Sequence, residues 1–314
     1  KTNSLKAKLC LEGKNLLYEF LKNHSIAHKK TGKLFLALTS EENTRLELTQ
    51  IQAKENGIND LIYLDRYRLN QLEPEIEGFA ALLSPSSGIF DTYNYMRTLL
   101  SIAEQHGIMY APNSPLIDAE PFSDGWKIQI GGNDPMELKT ASVINSAGLN
   151  AISISRKIFP DREIPTLYPV KGAYVRYTGI RPVRHIVYPA IVPGKIEERV
   201  DATPDISNSL RFGPSLDVAD HLEDFKIPDN IVERFIPRIL RYLPNIDIRK
   251  LSPDIAGIRP KTFGSGESAK DFFFEWSPQQ NWLDLWGMES PALTSSLAIG
   301  EHVSRLFKKN GVLN

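Results

Sequence analysis

Three segments set a long cation beside glycine or proline at a predicted strand end: Lys171-Gly172-Ala173-Tyr174, Arg211-Phe212-Gly213-Pro214 and Gly257-Ile258-Arg259-Pro260-Lys261. A cation held by rigid backbone can anchor an anion. Arg offers a planar fork that meets a carboxylate at two points, and Lys a point charge. Most Lys and Arg in proteins are solvated, so loop-tip cations are the plain alternative. His185-Ile186-Val187-Tyr188-Pro189 adds an imidazole and a phenol three residues apart on a strand, facing opposite sides. His185 can be an acid or base or a satisfied structural residue. Tyr188, followed by a stiffening proline, is the better candidate for a hydrogen bond to a substrate.

Two further segments bring backbone close to a ligand. In the run from Leu285 to Glu301 an apolar strand end is followed by Gly287, a Ser290-Pro291 entry and a helix. Pro291 suits a first helical turn and Ser290 is expected to cap it. The free amides and the helix dipole would then face an electron-rich group. In Val143-Ile144-Asn145-Ser146-Ala147-Gly148 a buried strand ends in small residues, and strand carboxyl ends are where α/β sheets bind ligands. Each segment alone is also an ordinary turn. The sequence has no His-Glu-x-x-His, no Gly-x-Ser-x-Gly and no Gly-x-x-x-x-Gly-Lys-Ser/Thr, which leaves zinc peptidase, serine hydrolase and P-loop chemistry without their signatures. Cys10, the single cysteine, can form neither an internal disulfide nor a zinc site and reads as a packed thiol; no metal site is expected.

These residues need elements to hold them. Helices are predicted over Ser4 to Asn23 with Ser4 as cap, Glu41 to Asn56, Thr92 to His106 ending at Gly107, 228 to 243, and after Pro291. Strands are predicted at 32–38, 58–64, 82–91 with an internal turn, 108–111, 115–120, 125–130 and 141–145. The section from Leu167 to Phe212 is rich in β-branched and aromatic residues punctuated by Pro and Gly, which suits an antiparallel sheet. The expected class is mixed α/β: a Rossmann-like nucleotide-binding domain over 1–31, 86–165 and 250–314, interleaved with an antiparallel-sheet substrate domain over 32–85 and 166–249.

The 314 residues are enough for two domains, and 37 basic against 38 acidic residues leave no electrostatic footprint for nucleic acid. No apolar run is long enough to span a bilayer, so a soluble intracellular setting, cytoplasmic or mitochondrial, is expected. The first residue is Lys1 rather than Met, so a targeting segment would lie outside this sequence.

Taken in order, Leu82-Leu83-Ser84-Pro85, Gly88-Ile89-Phe90-Asp91, Asn145-Ser146-Ala147-Gly148-Leu149, Lys171-Gly172-Ala173-Tyr174, His185 to Pro189, Arg211 to Pro214, Pro253 to Lys261 and Gly287-Met288-Glu289-Ser290-Pro291-Ala292-Leu293-Thr294 resemble the FAD-dependent oxidoreductases of the D-amino-acid oxidase superfamily. The resemblance is strongest to the L-2-hydroxyglutarate dehydrogenase/oxidase branch. It implies that Ser146, Ala147 and Gly148 lie near the adenosine half of FAD. It also implies that Gly287, Glu289, Ser290, Pro291, Ala292, Leu293 and Thr294 approach the isoalloxazine. Arg259, with Lys171, Tyr188 and His185, would then orient a 2-hydroxy acid, the electron acceptor being unspecified. No Gly-x-Gly-x-x-Gly follows a strand near the start, so the resemblance places that unit, roughly 30 residues or more, before Lys1. Where the family shows Gly-Val-His-Leu-Thr, this sequence has Arg199-Val200-Asp201-Ala202-Thr203, a carboxylate in place of an imidazole. A related amine or amino-acid oxidase and a non-catalytic binding homologue are the alternatives.

Overall fold

The computed structural model describes residues 2–191, 198–264, 267, 269–277 and 281–312. In chain order the elements are α1 (Leu5–Asn23), β1 (His28–Lys29), β2 (Lys33–Ala37), α2 (Ser40–Glu55), β3 (Ile62–Asp65), α3 (Arg66–Leu72), β4 (Ala80–Ser84), β5 (Ile89–Phe90), α4 (Thr92–Gln105), β6 (Leu116–Phe122), β7 (Gly125–Ile130), β8 (Met136–Thr140), β9 (Val143–Asn145), α5 (Ala151–Ile158), β10 (Tyr168–Tyr177), β11 (Ile186–Pro189), β12 (Asp201–Pro204), β13 (Leu210–Gly213), β14 (Asp217–Val218), α6 (Ile231–Leu240), β15 (Leu251–Lys261), β16 (Phe273–Ser277), β17 (Trp282–Trp286) and α7 (Ala292–Lys309). The fold is mixed α/β. The chain divides into two compact units, one of Lys1–Asn3, Ser25–Tyr93 and Val170–Ile258, the other of Ser4–His24, Asn94–Pro169 and Arg259–Asn314.

The first unit is built on a sheet of order β14-β10-β13-β12-β11-β2-β4-β3, with β15 joined to β10. Period-two alternation sorts its faces. Leu34 and Leu36 of β2, Ala173 and Val175 of β10, Ala202 of β12 and Leu210 and Phe212 of β13 share one core with Ile231, Phe235 and Ile239 of α6, spaced four apart on one helix stripe. Phe35 and Ala37, the intervening β2 residues, pack with Leu46 of α2 instead. The strands of the middle region pair antiparallel as the composition predicts, β10 with β13, β13 with β12 and β12 with β11. The join of β11 to the earlier strand β2 is parallel.

In the second unit β9 runs parallel to β17, and β16 pairs antiparallel with the other side of β17. All five residues of β17 are buried. A separate antiparallel ribbon comprises β6, β7 and β8. Helix α1 is capped by Ser4, whose side chain accepts from the Ala7 amide at 3.2 Å, as expected. It lies close against the first turn of α7, because a Cβ on Gly13 would come within 2.6 Å of the Thr294 carbonyl oxygen.

Residues 108–111, expected as a strand, belong to none, and Met109 is 93% exposed: an apolar run without a partner strand has no backbone ladder to join. Two short helices were not anticipated, α3 and α5. The cap of α3 was readable, since Asp65 accepts from the Arg68 amide at 2.8 Å.

Candidate functional site

In the second unit, Val143, Ile144 and Asn145 of β9 lie beside Trp282, Leu283 and Asp284 of β17 in parallel register. Parallel strands deliver their carboxyl ends to the same edge, so the Ser146-Ala147-Gly148 turn and the segment from Gly287 leave the sheet at one end. The structure thus brings together, within one unit, the two backbone segments singled out in the sequence. Ser146, Ala147 and Gly148 are all exposed. Gly148 has φ +59°, and a Cβ there would meet nothing within 4 Å. Gly287 is buried at φ +68°, where a Cβ would press to 3.2 Å from Thr262 Oγ1.

The start of α7 differs from expectation. Pro291, not Ser290, occupies the cap position, and no side chain caps the helix. The approach is tightened by backbone: the Glu289 amide donates to the Gly287 carbonyl at 2.8 Å and the Ala292 amide to the Glu289 carbonyl at 2.7 Å. With the proline filling the cap, the Ser290 hydroxyl makes no capping bond and the residue is exposed. Glu289 is held by Lys6 at 3.3 Å, the lysine also lying 5.1 Å from the Phe272 ring centroid. Leu293 is 48% exposed beside the half-buried Ala292 and Thr294.

The first unit holds a charged cluster around Tyr188. The residue beside it across the β11/β12 pair is Asp201, since Val187 faces Ala202 in that register. Asp201 is buried, and Arg199 grips its carboxylate at two points, Nε to Oδ1 at 2.6 Å and Nη2 to Oδ2 at 3.1 Å. The same guanidinium lies 4.4 Å from the Tyr188 ring centroid, and Lys33 Nζ lies 4.8 Å from it. The Phe35 ring meets Tyr188 edge-on at 6.2 Å. Burial, and next the Asp201 carboxylate, push the Tyr188 phenol up to about 12.

The remaining residues expected to orient a substrate have different settings. Lys171 is buried and donates to Asp224 at 2.7 Å, a bond that holds the Asp224 carboxyl below its ordinary range. His185 Nδ1 lies 2.7 Å from the buried Glu73 carboxylate, which also accepts the His185 and Arg184 amides at 2.8 and 2.7 Å. Both engage structural partners inside the first unit. Arg211 pairs with Asp254 and Asp205. Arg259 belongs to the second unit and is half-buried near the end of β15.

Sequence reasoning missed the cations around Tyr188 and the acid inside β17. Asp284 has no side-chain exposure and sits within Trp282-Leu283-Asp284-Leu285-Trp286. A lone carboxylate in an apolar strand is itself a signal, because burying it requires several donors.

Residues 1–306 match the model of a family described as FAD dependent oxidoreductase. The mitochondrial L-2-hydroxyglutarate dehydrogenase of Arabidopsis thaliana is 30% identical over 349 residues, covering 97% of this chain and 72% of that protein. Its Homo sapiens counterpart is 26% identical, covering 95% of this chain and 75% of that protein. Among solved structures, dithionite-reduced L-alpha-glycerophosphate oxidase from Mycoplasma pneumoniae, with FAD bound, superposes with a TM-score of 0.84 at 22% identity, covering 98% of this chain and 81% of that one. Glycine oxidase from Geobacillus kaustophilus gives 0.77 at 19% identity, covering 97% and 80%.

Proposed function

The chain belongs to the family of FAD-dependent oxidoreductases, and on that premise we propose that it oxidises the CH–OH group of a 2-hydroxy acid, L-2-hydroxyglutarate, to the 2-oxo acid. The observation that carries the substrate is the similarity to L-2-hydroxyglutarate dehydrogenases along nearly the whole chain, 97% of it against the Arabidopsis thaliana protein.

The residues present fit the cofactor on one structural ground. The exposed Ser146-Ala147-Gly148 turn is open where a side chain would stand, and beside it on the same sheet edge a glycine at positive φ leads into a helix start without a side-chain cap. Ser146 to Gly148 and Gly287 to Thr294 would hold FAD, offering backbone amides and the positive end of the α7 dipole. When bound, FAD supplies the acceptor for the hydride equivalent leaving C2. The chain's own part is to bind and orient. In this reading Arg259 pairs with the substrate carboxylate as a fixed fork. The Tyr188 phenol, its pKa about 12, keeps its proton at neutral pH, so what it can offer is a hydrogen-bond donor. Lys171 and His185, engaged by Asp224 and Glu73, maintain the shape of the sheet that carries Tyr188. Fixing the C–H bond in one orientation supplies much of the rate.

Anaerobic titration of the holoenzyme tests the proposal. L-2-Hydroxyglutarate is expected to bleach the flavin absorbance, with the D enantiomer and glycine inert. Bleaching by glycine alone would make the protein an amino-acid oxidase, and an unchanged spectrum with all three would make it a non-catalytic homologue.

A further inference from the structure

A carboxylate in the middle of a buried apolar strand is costly unless donors surround it, and Asp284 has them on both oxygens. Oδ1 accepts from Asn145 Nδ2 at 2.7 Å, Ser155 Oγ at 2.7 Å and Trp282 Nε1 at 2.9 Å. Oδ2 accepts from Arg162 Nη1 at 3.0 Å. The Arg162 guanidinium is itself flanked by the Phe159 and Trp286 rings, 5.0 and 5.1 Å from their centroids.

Two branches of this network end at the proposed cofactor segments. A carboxylate only accepts, so it selects the NH2 end of the Asn145 amide, as the Ala151 carbonyl also does at 2.8 Å. That turns Asn145 Oδ1 toward the chain ahead, where it accepts from the Ala147 amide at 3.4 Å, inside the Ser146-Ala147-Gly148 turn. On the other branch Trp286, the residue before Gly287, donates through Nε1 to Ser155 Oγ at 2.9 Å. Both segments therefore lead back, through Asn145 and Ser155, to one buried acid.

We infer that Asp284 is a positioning residue for FAD: through Asn145 and Ser155 it sets the spacing and orientation of the two backbone segments at the sheet edge. The inference rests on the reading that these segments hold FAD. Small errors in a supporting shell weaken a site strongly even when the groups in contact with the ligand are unchanged.

The experiment is a double-mutant cycle on the full-length holoenzyme, with FAD dissociation measured by equilibrium dialysis and folding by thermal unfolding. Asp284→Asn keeps the shape and an acceptor oxygen but removes the charge held by Arg162; Asn145→Ala removes the branch to Ala147. Each is expected to weaken FAD binding about tenfold, with the double variant no weaker than the worse single one, because the two act in one relay. Binding within twofold of the parent in Asp284→Asn, or losses that simply multiply in the double variant, overturns the inference. Gly148→Val separates this from failure of the underlying reading. Loss of FAD by Gly148→Val with retention by Asp284→Asn leaves the turn as the cofactor segment and removes Asp284 from its support. Retention of FAD by Gly148→Val removes the turn itself from the site, and the inference with it.

Discussion

At the ends of β9 and β17 the turns are carried by glycines and small residues: Gly148 stands open, the buried Gly287 is pinned at positive φ, and the charged groups are drawn inward, Asp284 to no side-chain exposure and Arg162 onto two aromatic rings. Around Tyr188 the arrangement is reversed, with Arg199, Lys33 and Asp201 gathered about one ring. A backbone-built surface can approach a large planar ligand closely and owes its shape to what lies beneath it. A surface of charged side chains can discriminate among small acids, but every charge needs a partner or water. The segments proposed to hold the cofactor should accordingly be sensitive to backbone and buried acid, and the residues proposed to orient substrate to single charges.

The largest effect is expected at the charge proposed to meet the substrate. Arg259→Ala should cut kcat/KM by about 100-fold, the order lost with a charged hydrogen-bonded partner, while FAD remains bound. Steady-state kinetics with L-2-hydroxyglutarate check this, and unchanged values would take Arg259 out of the site. Next comes Arg199→Ala, which removes a guanidinium from the buried Asp201 carboxylate. With Arg199 itself partly exposed, a loss of about 1–3 kcal/mol is expected in denaturant unfolding. The double variant Arg199→Ala/Asp201→Asn should recover part of it, and no recovery would mean the arginine acts by packing on Tyr188 rather than by neutralising Asp201.

Tyr188 gives a test at high pH. Its phenol keeps its proton up to about 12 in the folded chain, whereas in the unfolded chain it ionises near the ordinary value of 10. The unfolded state therefore binds fewer protons between pH 10 and 12, and stability contributed by this group, complete below about pH 10, is lost as pH rises toward 12. Tyr188→Phe should flatten that part of the stability profile; buried Tyr242, whose phenol is also raised by burial, will keep some of the slope. An unaltered profile would place the Tyr188 hydroxyl in water. The smallest effect is expected in the segment proposed to meet the cofactor: Ser290→Ala should change unfolding stability by less than about 0.5 kcal/mol, since Ser290 caps nothing, whereas a working cap would cost about 1 kcal/mol.

Much of this organisation was legible in the residues. The spacing of Leu9, Leu17 and Leu21 marks α1, and the small residues after Asn145 and the glycine after Trp286 mark two turns at strand ends. The resemblance to the FAD-dependent family was legible because its motifs occur in order along the chain. The role of Ser290 was misread because a Ser-Pro pair fits two cap registers, and only the local path from Gly287 to Ala292 selects the one in which proline takes the cap. Lys171 and His185 could not be distinguished from free groups, since Asp224 and Glu73 lie 53 and 112 residues away in the chain.

The sequence by itself determined most of the local elements, the glycines at strand-end turns, and the family, because these depend on neighbours along the chain or on residue order. The tertiary structure alone decided that β9 and β17 lie parallel, that their two turns share one edge, and that Asp284 joins Asn145, Ser155 and Arg162, separated from it by 139, 129 and 122 residues. Hydrogen bonds act over about 3 Å, so the partners of a buried charge are set by which strands pair, and strand pairing across such distances leaves no periodicity in the chain to read.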